Sequence, residues 1–130
     1  MTAVEKPLVW IEYGMNKKLC IAAFFSYAAL VAFVSLQPSS GVSIGHYDKL
    51  AHFVTYAIFA VLAWGISRSG QFFVYVCCAI VIYGALLEFG QSLVPGRDMS
   101  ALDFLANTVG LVVGAVLCRK LFTVGKRQVE

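Results

Sequence analysis

Four stretches of the chain stay apolar for the length of a bilayer core, and each is closed by charged or turn-forming residues. Leu19 to Gln37 carries no charge and lies between Lys17-Lys18 and Pro38-Ser39-Ser40-Gly41. Leu50 to Ser67 follows Asp48-Lys49 and stops at Arg68-Ser69-Gly70. Phe72 to Val94 is apolar until near its end, where Pro95-Gly96 closes it, and Ala101 to Cys118 runs into Arg119-Lys120. Crossing the hydrocarbon core takes about 20 mostly apolar residues in a helix, so each stretch predicts a transmembrane span. No period-2 alternation persists anywhere, which argues against a transmembrane barrel. The first stretch is long for the apolar region of a signal peptide and has no A-x-A site before Pro38, so it is read as a retained helix.

The expected fold is therefore all-α: a polytopic membrane protein, a bundle of four transmembrane helices at 19–37, 50–67, 72–94 and 101–118. An N-terminal tail over 1–18 and a basic tail over 119–130 flank this membrane domain. Composition agrees, with 60% hydrophobic and 13% charged residues and a mean hydropathy of +0.81. A soluble domain carries about 25% charged residues. A chain of 130 residues leaves no room for a second folded module beside four spans.

Charge placement predicts orientation. Lys6, Lys17 and Lys18 precede the first span, Arg68 sits in the second connection, and Arg119, Lys120, Lys126 and Arg127 follow the last. Only Lys49 and Arg97 fall in the other connections. Basic residues are retained on the cytoplasmic side, so both termini are expected there, with the 38–49 and 95–100 connections facing outward. The net charge of +3 thus reads as topology, and no nucleic-acid partner is expected. Cys20, Cys77, Cys78 and Cys118 all lie outside the outward connections, so they read as packing residues and not as a disulfide framework. With no C-x-x-C and no His/Cys spacing of the zinc type, neither a metal site nor a cofactor is expected.

Against this apolar background, the polar residues carry the information. Glu88 lies seven residues before Pro95, which places it about 10 Å below the helix end at 1.5 Å per residue. An ionisable side chain at the bilayer centre costs about 2.5 to 3.5 kcal/mol on insertion scales, so Glu88 should face protein or water. Gly84, Glu88 and Gln91 share one face of the third helix, while Asp48, His52 and Tyr56 repeat every four residues along the second. Asp103, Asn107, Gly110 and Gly114 fall in one sector of the fourth. All three faces lie toward the same end, which predicts a shared outward pocket rimmed by Lys49, Arg97 and Asp98. Gly84, Gly110 and Gly114 are the expected sites of close helix packing, within one chain or in a homo-oligomer.

Each of these residues also has a plainer reading. Asp48 suits a helix cap, and Ser100-x-x-Asp103 has the form of a capping box. Val94-Pro95-Gly96-Arg97 fits a type II turn. Arg97, His52 and Tyr56 suit interfacial anchors, and Asn107 suits an interhelical hydrogen bond. Glu88 has the weakest plain reading, because an intramembrane acid is a functional-site candidate by default.

The ordered motifs Asp48-Lys49-x-x-His52-Phe53-x-x-Tyr56, Tyr83-Gly84-x-x-x-Glu88-x-x-Gln91-x-x-Val94-Pro95-Gly96-Arg97 and Asp103-x-x-x-Asn107-Thr108-x-Gly110-x-x-x-Gly114 resemble the VanZ-like family of bacterial membrane proteins. The resemblance runs from Asp48 to about Cys118, three of the four helices, and carries each motif position over. It implies a multi-pass protein of the bacterial inner membrane and a link to teicoplanin resistance, the activity of the family's namesake.

Three mechanisms fit the residues. The first is binding of membrane lipid or a lipid-linked envelope precursor, with Lys49 and Arg97 on phosphate and Asp48, Tyr56, Gln91, Asp98 and Asn107 among the ligand-binding residues. The second is an enzyme on a lipid-linked substrate, with His52, Glu88 and Asp103 as candidate catalytic groups and Asp48 or Asp103 orienting them or holding a metal. The third is proton-coupled transport through Glu88, for which four helices are few. No G-x-S-x-G, H-E-x-x-H or P-loop motif selects a known catalytic mechanism, so enzymatic activity stays open.

Overall fold

The computed structural model describes residues 16–38 and 46–127. Over these residues it is all-helical, with α1 (Lys17–Ser35), α2 (His46–Ile66), α3 (Gly70–Gln91) and α4 (Ala101–Arg127). Each helix contains a span long and apolar enough to cross a membrane, the polytopic fold that hydropathy predicts.

The helix bounds differ from the hydropathy segments at their polar ends. α2 begins at His46, so Asp48 lies in its first turn instead of preceding it. α3 stops at Gln91, and α4 continues past Arg119-Lys120 to Arg127. Lys and Arg are good helix formers whose stems keep their charges in water, so a basic pair ends an apolar run without ending a helix. The starts are capped by side chains. Asn16 accepts the Lys18 N–H at 3.0 Å, and Ser69 accepts the Phe72 N–H at 3.1 Å.

Consecutive helices run antiparallel, which makes α2 and α4 parallel, and these two form the most extensive contact in the molecule. Glycine permits it. A Cβ on Gly110 would collide with the Phe53 carbonyl, and one on Gly114 would lie 2.8 Å from both the Ala57 oxygen and the Ala60 Cβ. Lipid is as apolar as the helix surfaces, so association rests on such close packing instead of water exclusion.

Around Phe59, 1% exposed, the rings of Tyr27 and Tyr83 pack edge-on with centroids 4.8 and 5.8 Å away. Toward the other end Trp64 meets Phe73 edge-on at 5.0 Å and stacks on Phe122 at 5.7 Å. The outer surface presents Phe25, Phe33, Ile82, Leu86 and Val112, a belt that only a bilayer accommodates on this scale. α1 is the least embedded helix, with Val31 its one buried residue.

Candidate functional site

The polar residues gather at the end of the bundle where α2 and α4 begin and α3 finishes. Two backbone features set this up. Val94 accepts the Arg97 N–H at 3.2 Å and Gly96 sits at φ 78°, the type II turn expected from Pro-Gly. The chain then enters α4 through Ser100, whose hydroxyl accepts the Asp103 N–H at 3.2 Å. In a capping box the acid three residues on would return the favour to the Ser N–H. Here Glu88 of α3 does so instead, its Oε2 accepting the Ser100 N–H at 3.4 Å. The Asp103 carboxylate is thereby left to face α2.

That carboxylate spans two partners, with Oδ1 3.8 Å from Lys49 Nζ and Oδ2 3.9 Å from His52 Nε2. One turn before His52, Asp48 Oδ1 approaches the same Nε2 at 4.0 Å. The other ring nitrogen, Nδ1, lies 3.0 Å from Asn107 Oδ1 and 4.0 Å from Glu88 Oε1. An amide oxygen only accepts, so Nδ1 carries the proton and donates it to Asn107. His52 is the hub of the site, linking acids on all three helices.

A cavity of about 320 Å³ opens beside this hub. Of the residues singled out from sequence, Asp48, His52, Tyr56, Glu88, Gln91, Arg97 and Asn107 line it. Lys49 and Asp103 belong to the charge cluster without lining the cavity. Asp98 is exposed and is not among the residues that line it. Gly84 lets the Tyr56 ring pack on α3: a Cβ there would stand 2.9 Å from the Tyr56 hydroxyl. Arg97 makes no ion pair with Glu88 among the described residues, and its Nε is buried without a hydrogen-bond partner.

α1, which carries none of the polar motifs, is also part of the site. Leu30, Val31 and Val34 form one wall of the cavity, and Tyr27 and Ser35 join them. The Tyr27 hydroxyl donates to the Thr55 carbonyl at 3.1 Å, and Gln91 Nε2 donates to the Ser35 carbonyl at 3.2 Å, fastening α1 to α2 and α3. A tyrosine in mid-span was the available signal. Local spacing also misses a donor set spread over two helices: one ligand-type atom each from Asp48, His52 and Asp103 falls within 4.8 Å of the others.

Fold and site together define a small multi-pass helical membrane protein with a polar cavity at one end of its bundle. The chain belongs to the VanZ/LLP1 family, whose sequence model matches residues 7–123. That span includes α1, which the motif resemblance did not cover. No curated protein and no solved structure matches the chain.

Proposed function

We propose that this protein binds a phosphate-bearing lipid or lipid-linked envelope precursor in the cavity. The supporting observation is the change of chemistry across it. Leu30 and Val34, each 56% exposed on the bundle surface, form one wall, while Asp48, His52, Glu88 and Arg97 form the other. An amphiphile lying against α1 keeps its chain on apolar surface and puts its head group among the polar side chains. The volume, about 320 Å³, is near the lower end of small-molecule pockets and suits a head group with its first few carbons.

Arg97 offers phosphate a planar fork of donors, and its Nε has no internal partner to give up. Asp48 and Glu88 accept hydroxyl groups of a glycerol or sugar. The placement of Lys and Arg along the chain orients this end outward from the bacterial inner membrane. Such a site alters the composition or accessibility of surface lipids, which is compatible with the teicoplanin resistance associated with the family's namesake.

The test is the lipid content of the purified protein, measured by extraction and mass spectrometry for the wild type and Arg97→Gln. The proposal expects a phosphate-bearing lipid enriched over the bulk membrane in the wild type and depleted in the variant. Equal content in both would contradict it.

One observation favours an enzyme of the hydrolase or transferase class on the same substrate. With Nδ1 bonded to Asn107, Nε2 is the ring nitrogen turned toward Asp48 and Asp103, the position from which a general base would act. Turnover of a lipid-linked phosphate ester that is lost in His52→Ala distinguishes it from binding alone.

A further inference from the structure

Three side chains at the mouth of the site form a donor set for a metal ion: Asp48 and His52 one turn apart on α2, and Asp103 in the first turn of α4. Their ligand-type atoms lie within 4.8 Å of one another, with His52 Nε2 3.9 Å from Asp103 Oδ2 and 4.0 Å from Asp48 Oδ1. These separations are too long for hydrogen bonds. They suit donors sharing one divalent ion, since ligands at about 2.1 Å on a common centre stand about 3 to 4 Å apart.

Two further observations point the same way. Asn107, 97% buried by its exposure of 3%, holds the His52 Nδ1–H at 3.0 Å. Imidazoles that bind metals almost always donate their other N–H to such an oxygen, which fixes the tautomer and aims the free nitrogen at the ion. On the same Nδ1 side stands the Glu88 carboxylate, 4% exposed, with Oε1 at 4.0 Å. Second, Asp103 Oδ1 is fully buried and accepts no hydrogen bond, with the Lys49 ammonium 3.8 Å away. A carboxylate with one buried oxygen that accepts no hydrogen bond and the other 3.9 Å from an imidazole nitrogen suits a cation.

We propose that Asp48, His52 and Asp103 bind one divalent cation, with the remaining coordination positions open to water or ligand oxygens. One imidazole with two carboxylates is a mixed set suited to manganese or zinc, whereas a dedicated calcium site takes six to eight oxygens. The proposal rests on the donor set alone and is independent of what lipid, if any, the cavity holds. Lys49, with Nζ 3.8 Å from Asp103 Oδ1, opposes the cation electrostatically. Removing that charge should strengthen binding, an effect of opposite sign to the loss of a ligand.

The experiment is titration of Mn²⁺ into the full-length protein in lipid-free mild detergent, followed by electron paramagnetic resonance of the free ion. The site predicts one saturable Mn²⁺ per chain, competed by Zn²⁺. His52→Ala and Asp103→Asn should each weaken binding by about tenfold or more, as loss of a ligand costs at least as much as loss of its orienting partner. Lys49→Gln should tighten it by about twofold to tenfold, the range of a neighbouring partly exposed charge. Thermal unfolding of each variant confirms that it is folded, and Gln71→Ala, exposed at the opposite end of α3, should bind as the wild type does. No stoichiometric binding by the folded wild type overturns the proposal, because His52 is then only an ion-pair partner of its acids. Binding that persists in both His52→Ala and Asp103→Asn overturns it equally, since the ions then sit elsewhere on the chain. Neither result depends on lipid binding, so failure here and failure of the lipid reading are separately visible.

Discussion

His52 on α2 donates its Nδ1–H to the side-chain oxygen of Asn107 on α4 at 3.0 Å, joining the two most closely packed helices through the centre of the site. The bond sets the tautomer of His52 and hence which nitrogen faces Asp48 and Asp103. Replacing Asn107 by Leu keeps similar bulk but removes the one acceptor, among the described residues, within hydrogen-bonding distance of Nδ1. Leaving a part-buried donor unpaired costs about 1 to 3 kcal/mol, so Asn107→Leu should lower the unfolding temperature in detergent. It should also abolish the Nδ1–H resonance of His52 in a ¹⁵N-histidine spectrum, a readout that a merely bulky replacement would leave alone.

The α2–α4 contact predicts an order among glycine substitutions. Gly110→Ala places a methyl against the Phe53 backbone carbonyl, which cannot rotate away. Gly114→Ala meets the Ala57 carbonyl oxygen at 2.8 Å, and Gly84→Ala meets the tip of the Tyr56 ring at 2.9 Å, where a side chain can shift. Overpacking costs about 1 to 3 kcal/mol, so Gly110→Ala should be the most destabilising and Gly84→Ala the least. Gly70, at the start of α3 with nothing within 4 Å of a Cβ, is the control. Gly70→Ala should be neutral or stabilising by up to about 1 kcal/mol through helix propensity.

Glu88 contributes to the fold through its acceptor oxygen and its bulk. Oε2 accepts the N–H that starts α4, and an amide oxygen can do the same, so Glu88→Gln should cost less than about 1 kcal/mol of stability. Glu88→Ala removes the acceptor and leaves a cavity, which should cost about 2 to 4 kcal/mol. Paired unfolding curves for the two variants check this. Equal losses would mean that the carboxylate charge, and not the helix cap, is what the fold uses.

The polar half of the site was legible in the sequence because charge in an apolar span is expensive and therefore stands out. Glu88, His52 and Asn107 could be assigned to facing helices from spacing alone, and the Pro-Gly turn from its residues. The α1 wall was not legible in the same way. Leu30 and Val34 line the cavity with side chains that look, in sequence, like any lipid-facing residue. Asp103 shows a different limit. Its capping-box spacing with Ser100 is genuine, yet Glu88 supplies the reciprocal bond from another helix, so a local motif gave the right backbone and an incomplete account of the carboxylate. Asp98, expected at the rim, is exposed and is not among the residues lining the cavity.

The central claim is that the cavity takes a phosphate head group on Arg97 and a chain along α1. The most direct measurement compares the unfolding temperature of the detergent-purified protein with phosphatidate and with diacylglycerol of identical chains, for wild type and Arg97→Gln. Ligands that bind only the folded state raise its stability, by about 2.7 kcal/mol at a hundredfold excess over Kd. The account predicts that phosphatidate raises the unfolding temperature of the wild type, that diacylglycerol raises it much less, and that the difference vanishes in Arg97→Gln. Equal shifts with the two lipids, or an undiminished phosphatidate shift in Arg97→Gln, would contradict it.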